Sequence, residues 1–309
     1  MILCVCLSPA VDVTYHVDRL HPSGTTRVST VTERAGGKAV NVARVLHRLG
    51  EPTRLVAPVG GGTGEQLRDD LAESGLEATL VESDHPTRRT VTVVEHDGAH
   101  PTTLVEPASL DCWAAVLAAV DGALGDADVL VVSGSVPDGV PEDGLAALVT
   151  AGRRHALPVL VDTHGPWLLS ALAAGATVVK PNAHELAVAT GDDDPVRAAR
   201  TLARSSGATV VASLGADGAL AATADGVWEA RPATALAGNP TGAGDALVAG
   251  LARELLRDPN AARHPELLLH DAVALAAAAV LSPVAGEVDP THHLEQRAGV
   301  VVRALDGAR

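Results

Sequence analysis

Short, unbroken apolar runs separated by helix-patterned stretches constrain this chain most strongly. "ILCVCL", "TRLVAPVG", "DVLVVSG", "PVLVDT", "ATVVKPN" and "ATVVASLG" are each long enough for one strand. A strand with one wet face alternates apolar and polar residues. A strand apolar throughout must be covered on both faces, as in a parallel sheet. The stretches between, "KAVNVARVLHRLG", "GEQLRDDLAESG", "PEDGLAALVTAGRRH" and "DPVRAARTLARSSG", are helical in pattern. The alternation predicts a doubly wound α/β sandwich with helices on both faces of the sheet. With 309 residues, 47% of them hydrophobic, the chain can fill one large core. No linker or repeat divides it, so a single domain over 1–309 is expected.

Two segments break the alternation. "DVTYHVDRL" with "TRVSTVTERAGG", and "RRTVTVVEHDGAHPTTLVEP", alternate apolar and polar residues without an intervening helix. "HDGAH" reads as a hairpin turn. They predict half-exposed antiparallel strands at about 12–35 and 87–107. Together these would make a small β-lid over the carboxyl edge of the main sheet, the edge at which open α/β sheets bind ligands.

A formal net charge of −15 repels polyanions, so neither nucleic acid nor an acidic membrane is an expected partner. Any anionic ligand must be met by local donors. Cys4, Cys6 and Cys112 make no disulfide framework, and Cys4 and Cys6 would share one strand face. Met1 runs into an apolar strand with no basic region or cleavage site, so no secretory leader is expected. In "LLLHDAVALAAAAVLSPVAG" His270 and Asp271 interrupt the apolar run, which suits a packed helix better than a membrane span. A soluble cytoplasmic protein is expected.

"GNPTGAGDALVAG", Gly238 to Gly250, puts a glycine turn and Asp245 at the mouth of an apolar helix. Backbone N–H groups at such a turn make an anion site, helped by the helix dipole. A carboxylate there would repel the anion. It is better placed to take a proton from a nucleophile approaching that anion, the general-base task in phosphoryl transfer to an alcohol. The alternative is a plain cap on a tight turn.

Of 23 basic residues only Lys38 and Lys180 are lysines, in "AGGKAVNVA" and "VVKPNAHEL". A compact ammonium fits where a guanidinium fork does not. "AGGKAV" is not a Walker A loop, and "VGGGTGEQL" lacks the G-x-G-x-x-G spacing of a dinucleotide fingerprint, which disfavours a dehydrogenase. Asn182 and Glu185, three apart at a helix start, fit either a water-mediated Mg²⁺ site or a capping box. "ASLGADGAL" is a strand end with a Gly-x-x-Gly turn, and "SGSVPDG" places small hydroxyl residues at a sheet edge.

Taken together, "LSPAVD", "AGGKAVNVARVLHRLG", "PTRRT", "SGSVPDGV", "VDTHGP", "VVKPNAHEL", "SLGADGAL" and "NPTGAGDALVAG" resemble, in order and over essentially the whole chain, the ribokinase-like carbohydrate kinases of the phosphofructokinase B branch. The resemblance implies a three-layer α/β/α sandwich with a small β-sheet lid, and ATP and Mg²⁺ as cofactors. It implies Asp245 as catalytic base and Gly242, Ala243 and Gly244 as the anion hole. Asn182 and Glu185 would organise Mg²⁺, through water, and the nucleotide phosphates, with Lys180 nearby. Ser213, Gly215 and Gly218 would line the ATP site. Asp12, Gly37, Lys38 and Asn41 would hold the sugar, with Ser135 on the same side. The lid strands would pair between subunits as a homodimer clasp.

Arg27, Lys38 and Arg88 resemble the cations of phosphorylated-ketohexose kinases, acting on fructose 1-phosphate, tagatose 6-phosphate or fructose 6-phosphate. Converging on one site they would clamp a sugar phosphate dianion. Arg89 would replace Arg88 if the strand register slips by one. A kinase of an unphosphorylated sugar or nucleoside on the same fold is the alternative, and a non-catalytic sugar-phosphate sensor is the alternative of another class. The chain departs from the pattern at Ala39, where these kinases often have Gly, and at His164, where Ser is common.

Overall fold

A computed structural model of the chain describes residues 1–96, 101–233, 236, 238–282 and 284–305. The first half comprises β1 (Ile2–Val5), β2 (Ala10–Val17), β3 (Val28–Gly36), α1 (Lys38–Arg48), β4 (Thr53–Val59), α2 (Gly61–Ser74), β5 (Glu77–Glu82), β6 (Arg88–Glu95) and β7 (Thr102–Val105). There follow α3 (Trp113–Leu124), β8 (Val129–Ser133), α4 (Gly144–Arg154), β9 (Val159–Asp162), α5 (Pro166–Ala173), β10 (Val178–Val179), α6 (Ala183–Thr190) and α7 (Pro195–Ser206). The last part holds β11 (Thr209–Ser213), β12 (Ala219–Ala222), β13 (Val227–Arg231), α8 (Ala243–Arg257), α9 (Pro265–Val280), α10 (Pro290–Gly299) and β14 (Val301–Ala304).

Among the described residues, ten strands form the main sheet in the order β14-β13-β12-β11-β10-β9-β8-β1-β4-β5. From β5 to β11 every neighbouring pair is parallel. Successive residues of a strand enter opposite layers. Ile2 and Cys4 join the core under α1, α2, α8 and α9, while Leu3 and Val5 join the core under α3, α4, α5 and α7. All four are fully buried. Each Leu or Ile so placed contributes roughly 1.5–3 kcal/mol, which holds the ends of the central strands rigid where the site-bearing loops begin. The continuous apolar runs are therefore parallel strands, as expected. Beyond β11 the sheet continues antiparallel through β12, β13 and β14. The pattern did not predict that edge, because "ALAA" in β12 carries no β-branched residue.

The apolar stretch around His270 is α9, a largely buried helix packed on α8. No helix among the described residues is long and apolar enough to cross a membrane. The two helices approach so closely that a Cβ at Gly250 would stand 2.4 Å from Ala272 Cα. Gly250, the last glycine of the motif, thus serves helix packing and not anion binding.

The lid is a second sheet, in the order β3-β2-β6-β7. Its outer pairs, β2/β3 and β6/β7, are antiparallel as expected, but the central pair β2/β6 is parallel. That corrects an all-antiparallel reading. Only strands joined by a short turn are obliged to run antiparallel, and β4, α2 and β5 lie between these two segments. The turn expected in "HDGAH" falls on 97–100, outside the described residues.

Ala156 is the one described non-glycine residue with positive φ, at 58°, just after the end of α4. The left-handed region costs an L-residue roughly 1–2 kcal/mol, partly offset because glycine loosens the unfolded chain by about 0.4–1 kcal/mol. Ala156→Gly is therefore expected to raise stability by about 0.5–1 kcal/mol. The check is an upward shift of the urea midpoint at constant slope, and a lower midpoint would contradict it.

Candidate active site

Asp245 stands in the first turn of α8 with 8% of its surface exposed. Gly242 precedes the helix at φ 85°, and a Cβ there would come within 2.9 Å of Ala285. Glycine is therefore required on conformational and steric grounds alike. The first-turn amides of a helix lack carbonyl partners within it and face outward as donors. From α1, Asn41 Nδ2 donates to Asp245 Oδ2 at 2.8 Å. Burial above all, with the charge of Asp162, pushes the Asp245 carboxyl up to about 7, against the Asn41 hydrogen bond and the pull of Lys38 and Lys180. A base that titrates near neutrality is well matched to accepting a proton from an alcohol.

Asp162 ends β9 and is 1% exposed. Lys180 Nζ lies 3.2 Å from one of its oxygens and Lys38 Nζ 3.4 Å from the other, and Ser133 Oγ donates to it at 3.0 Å. Both lysines of the chain thus meet on one buried carboxylate, where two guanidinium forks would be too broad. Burial alone would raise Asp162, but Lys180, Lys38 and the Ser133 hydroxyl outweigh it and hold the carboxyl below its ordinary value. Burial would likewise lower Lys38, and Asp162, Glu185 and Asp245 reverse that and raise it. A Cβ at Gly244 would stand 3.9 Å from Lys180 Nζ, so this ammonium lies beside the glycine turn. Neither Asp162 nor Ser133 was singled out from the sequence. The signal was there in "PVLVDT", an apolar strand that ends on an acid.

On the lid side, the registers Ala10↔Arg88, Asp12↔Thr90 and Asp12↔Arg34 set these residues on one face. Gly36 lies under Asp12: a Cβ there would be 2.0 Å from Asp12 Oδ2. Gly37, at φ 103°, then turns the chain into α1. Burial raises the Asp12 carboxyl, resisted by Arg88, Thr90, Arg34 and Arg44. Arg88 Nε donates to Ser8 Oγ at 2.9 Å and its Nη2 to the Ser8 carbonyl at 3.3 Å. Arg89 is exposed, so the register question resolves in favour of Arg88. Ser135 is half-buried two residues past the end of β8, at the same sheet edge.

Arg27 does not join this group. It precedes Val28, which pairs with Val17, at the opposite end of the 8-residue β2 from the Ala10–Arg88 row. At ~3.3 Å per residue that separates them by about 23 Å. Arg27 is exposed there. The expected convergence of Arg27, Lys38 and Arg88 in one chain is therefore corrected. A sequence places a residue on a strand without saying which end of the strand meets the site.

Ser213 ends β11, and Gly215 to Asp217 form a 3-10 turn before β12. Gly218 has φ 86°, and a Cβ there would reach 2.2 Å from the Ala230 carbonyl. With Gly244, Leu247 and Val280 these residues line a cavity of about 570 Å³ that begins at the glycine turn. Its size and apolar walls suit a small flat ligand. Asn182 and Glu185 form a reciprocal capping box: Asn182 Oδ1 accepts from the Glu185 amide and Glu185 Oε2 from the Asn182 amide, both at 2.8 Å. The cap fixes Glu185 close enough for its charge to act on Lys38. Among the described residues no group of three His, Cys, Asp or Glu side chains has the arrangement of a direct metal cage.

The three-layer sandwich with its lid over the carboxyl edge defines the ribokinase-like fold. Residues 1–292 match the pfkB family of carbohydrate kinases, and the chain belongs to that family. It is 36% identical to the 1-phosphofructokinase of Xanthomonas campestris pv. campestris over 83% of this chain and 84% of that one. It is 31% identical to the ATP-dependent 6-phosphofructokinase isozyme 2 of Escherichia coli, over 84% and 87% of the two chains. The structure of Escherichia coli phosphofructokinase-2 in complex with fructose-6-phosphate superposes with a TM-score of 0.84 at 29% identity, covering 96% of this chain and 98% of that one.

Proposed function

We propose that the protein is an ATP-dependent kinase of a phosphorylated ketohexose, fructose 1-phosphate, fructose 6-phosphate or tagatose 6-phosphate, with Asp245 as general base. The observation that carries this reading is a buried carboxylate in the first turn of α8, bonded by Asn41 and set beside the glycine turn and Lys180; burial, which pushes it up toward neutrality, suits the same role. The sugar hydroxyl, held between Asp12, Asn41 and the Gly36-Gly37 turn, gives its proton to Asp245 as its oxygen attacks the terminal phosphorus of ATP, and the bond from that phosphorus to the bridging oxygen breaks, so that ADP leaves. Amides of Gly242 and Gly244, with Lys180, meet the charge on the transferred group; the Ala243 amide donates to the Pro240 carbonyl at 3.2 Å and would have to leave it to join them. The cavity behind Ser213, Gly215 and Gly218 suits an adenine ring. Mg²⁺ bound through water to Asn182 and Glu185 would neutralise phosphate charge, consistent with a cap that holds Glu185 near Lys38.

The sugar's own phosphate is assigned to Arg88, with relatives named as phosphofructokinases in support. A sugar-phosphate panel on the purified enzyme, with unphosphorylated fructose and tagatose beside it, tests the reading. Preference for the unphosphorylated sugars would replace it with a sugar kinase on the same fold, and binding without turnover would replace it with a sensor. Arg88→Ala is expected to lower kcat/KM for the sugar phosphate about 10- to 100-fold and leave ATP affinity unchanged. An unchanged kcat/KM would remove Arg88 from the site.

A homodimer through the lid belongs to the same proposal. The edge strands β3 and β7 expose Val28, Val31, Leu104 and Val105, and pairing there would let Arg27 act on a second subunit's site. Three unpaired cysteines suit a cytoplasmic, reducing location.

A further inference from the structure

We propose that Arg34 and Glu287 form a latch that transmits the position of the lid to Asp245, which makes both of them positioning residues for phosphoryl transfer. The inference rests on the general-base reading above. Arg34 lies on β3, the edge strand of the lid, opposite Asp12. Its Nη1 is 3.1 Å from Glu287 Oε1, with 18% and 45% of the two side chains exposed. Glu287 sits in the short stretch between α9 and α10.

That stretch is wedged between the two helix mouths that build the base. Gly286, at φ 74°, packs so tightly on Asn41 that a Cβ there would lie 2.9 Å from Asn41 Oδ1 and 3.3 Å from its Cα. Ala285 presses on Gly242 with equal closeness: a Cβ at Gly242 would be 2.9 Å from Ala285 Cα. Val288, 1% exposed, anchors the far side. Asn41 holds Asp245 at 2.8 Å, and Gly242 begins the turn before it. Contact therefore runs without a gap from the lid strand through Arg34, Glu287 and Gly286 to Asn41 and Asp245, and through Ala285 to the anion turn. Close-packed elements transmit displacement because they have no slack to absorb it. A lid drawn down over the sugar would set the base through this path, and an open lid would leave it less well placed.

A half-exposed ion pair contributes little to stability, so removing it should leave the fold intact and show in catalysis. The test is a double-mutant cycle of Arg34→Met and Glu287→Ala, measured as steady-state kinetics with the preferred sugar phosphate. ATP binding is followed by tryptophan fluorescence to confirm that each variant is folded. Each single substitution is expected to lower kcat about 10-fold, and the double no further than about 10-fold, because one link is cut either way. KM for the sugar phosphate should stay within about twofold in all three. Arg34→Lys and Glu287→Gln, milder at the same positions, should retain most of kcat. An unchanged kcat in the single variants, or an additive loss of about 100-fold in the double, overturns the latch. So does a raised sugar-phosphate KM confined to Arg34→Met, which would make Arg34 a substrate contact. Asp245→Asn measured alongside separates the two readings. If it stays active the general-base assignment fails, whereas an inactive Asp245→Asn beside a flat cycle sinks the latch alone.

Discussion

Asp245→Asn is expected to lose roughly 10²–10⁴-fold in turnover and to unfold at higher denaturant concentration than the wild type at pH 8. Both follow from one environment. Burial pushes the Asp245 carboxyl from 3.8 up to about 7. Between those values the folded protein keeps a proton that the unfolded chain has released. Stability therefore falls as pH rises across that window, and above about 7 the full cost is present, on the order of 4 kcal/mol from a shift of about three pH units. Asparagine does not ionise and can still accept from Asn41 Nδ2, so it removes the cost and keeps the contact. Urea melts at pH 8 and pH 5 should show a gap that narrows at the lower pH. The acidic limb of the wild-type kcat/KM profile should fall near pH 7, with activity lost below it, because a protonated base accepts nothing. A variant within tenfold of wild-type turnover would remove Asp245 from the role of base, and equal stability of the two proteins at pH 8 would show that burial does not raise its carboxyl.

Such a trade, stability given up for a charged group in a dry site, also explains what could be read in advance. The continuous apolar runs could only be strands covered on both faces, and the period-two segments could only be a half-wet sheet, so the sandwich and the lid were legible. The turn before Asp245 was legible because glycines at a helix mouth are unusual for packing alone. Gly250, in the same motif, turned out to be a packing residue, and nothing in one sequence separates those two uses. β12 and β14 were not legible because each is four residues long, β12 an alanine-rich ALAA without a β-branched residue and β14 a largely exposed VVRA at the sheet edge, too short to show a period. The family resemblance puts Arg27 at the site, whereas its position in one chain depends on the register of β2 with β3, which carries it to the far end of the lid. Asp162 was passed over because a single acid after an apolar run also reads as a turn residue. Its importance lies in two lysines, one more than a hundred residues before it, that fold onto it.

Asp162→Asn is therefore the substitution that should disturb both the fold and the chemistry. It preserves size and can keep the Ser133 hydrogen bond while deleting the charge. Lys180, 4% exposed, would be left as a buried ammonium without its anion. Removing one partner of a buried pair costs about 3–5 kcal/mol, since the desolvated charge left behind is uncompensated. Lys38, more exposed, can turn to solvent and should contribute less. The Asp162 carboxyl is held below its ordinary value of 3.8, so the stability it contributes is present above that pH and lost only as pH falls through the lower, folded value. The deficit from the lost carboxylate should thus persist from pH 6 to 8, narrowing somewhat toward pH 8 because Asp245 costs the variant less there, and close only in acid. A second substitution, Lys180→Met, should restore part of the stability by removing the orphaned charge. The chemistry should change in a separate way. Asp162 is one of the groups that raise Asp245, so without it the acidic limb of kcat/KM should move to lower pH even as turnover drops. A melt unchanged at pH 7 together with an unmoved acidic limb would show that Asp162 is neither the lysines' counter-ion nor a neighbour that tunes the base.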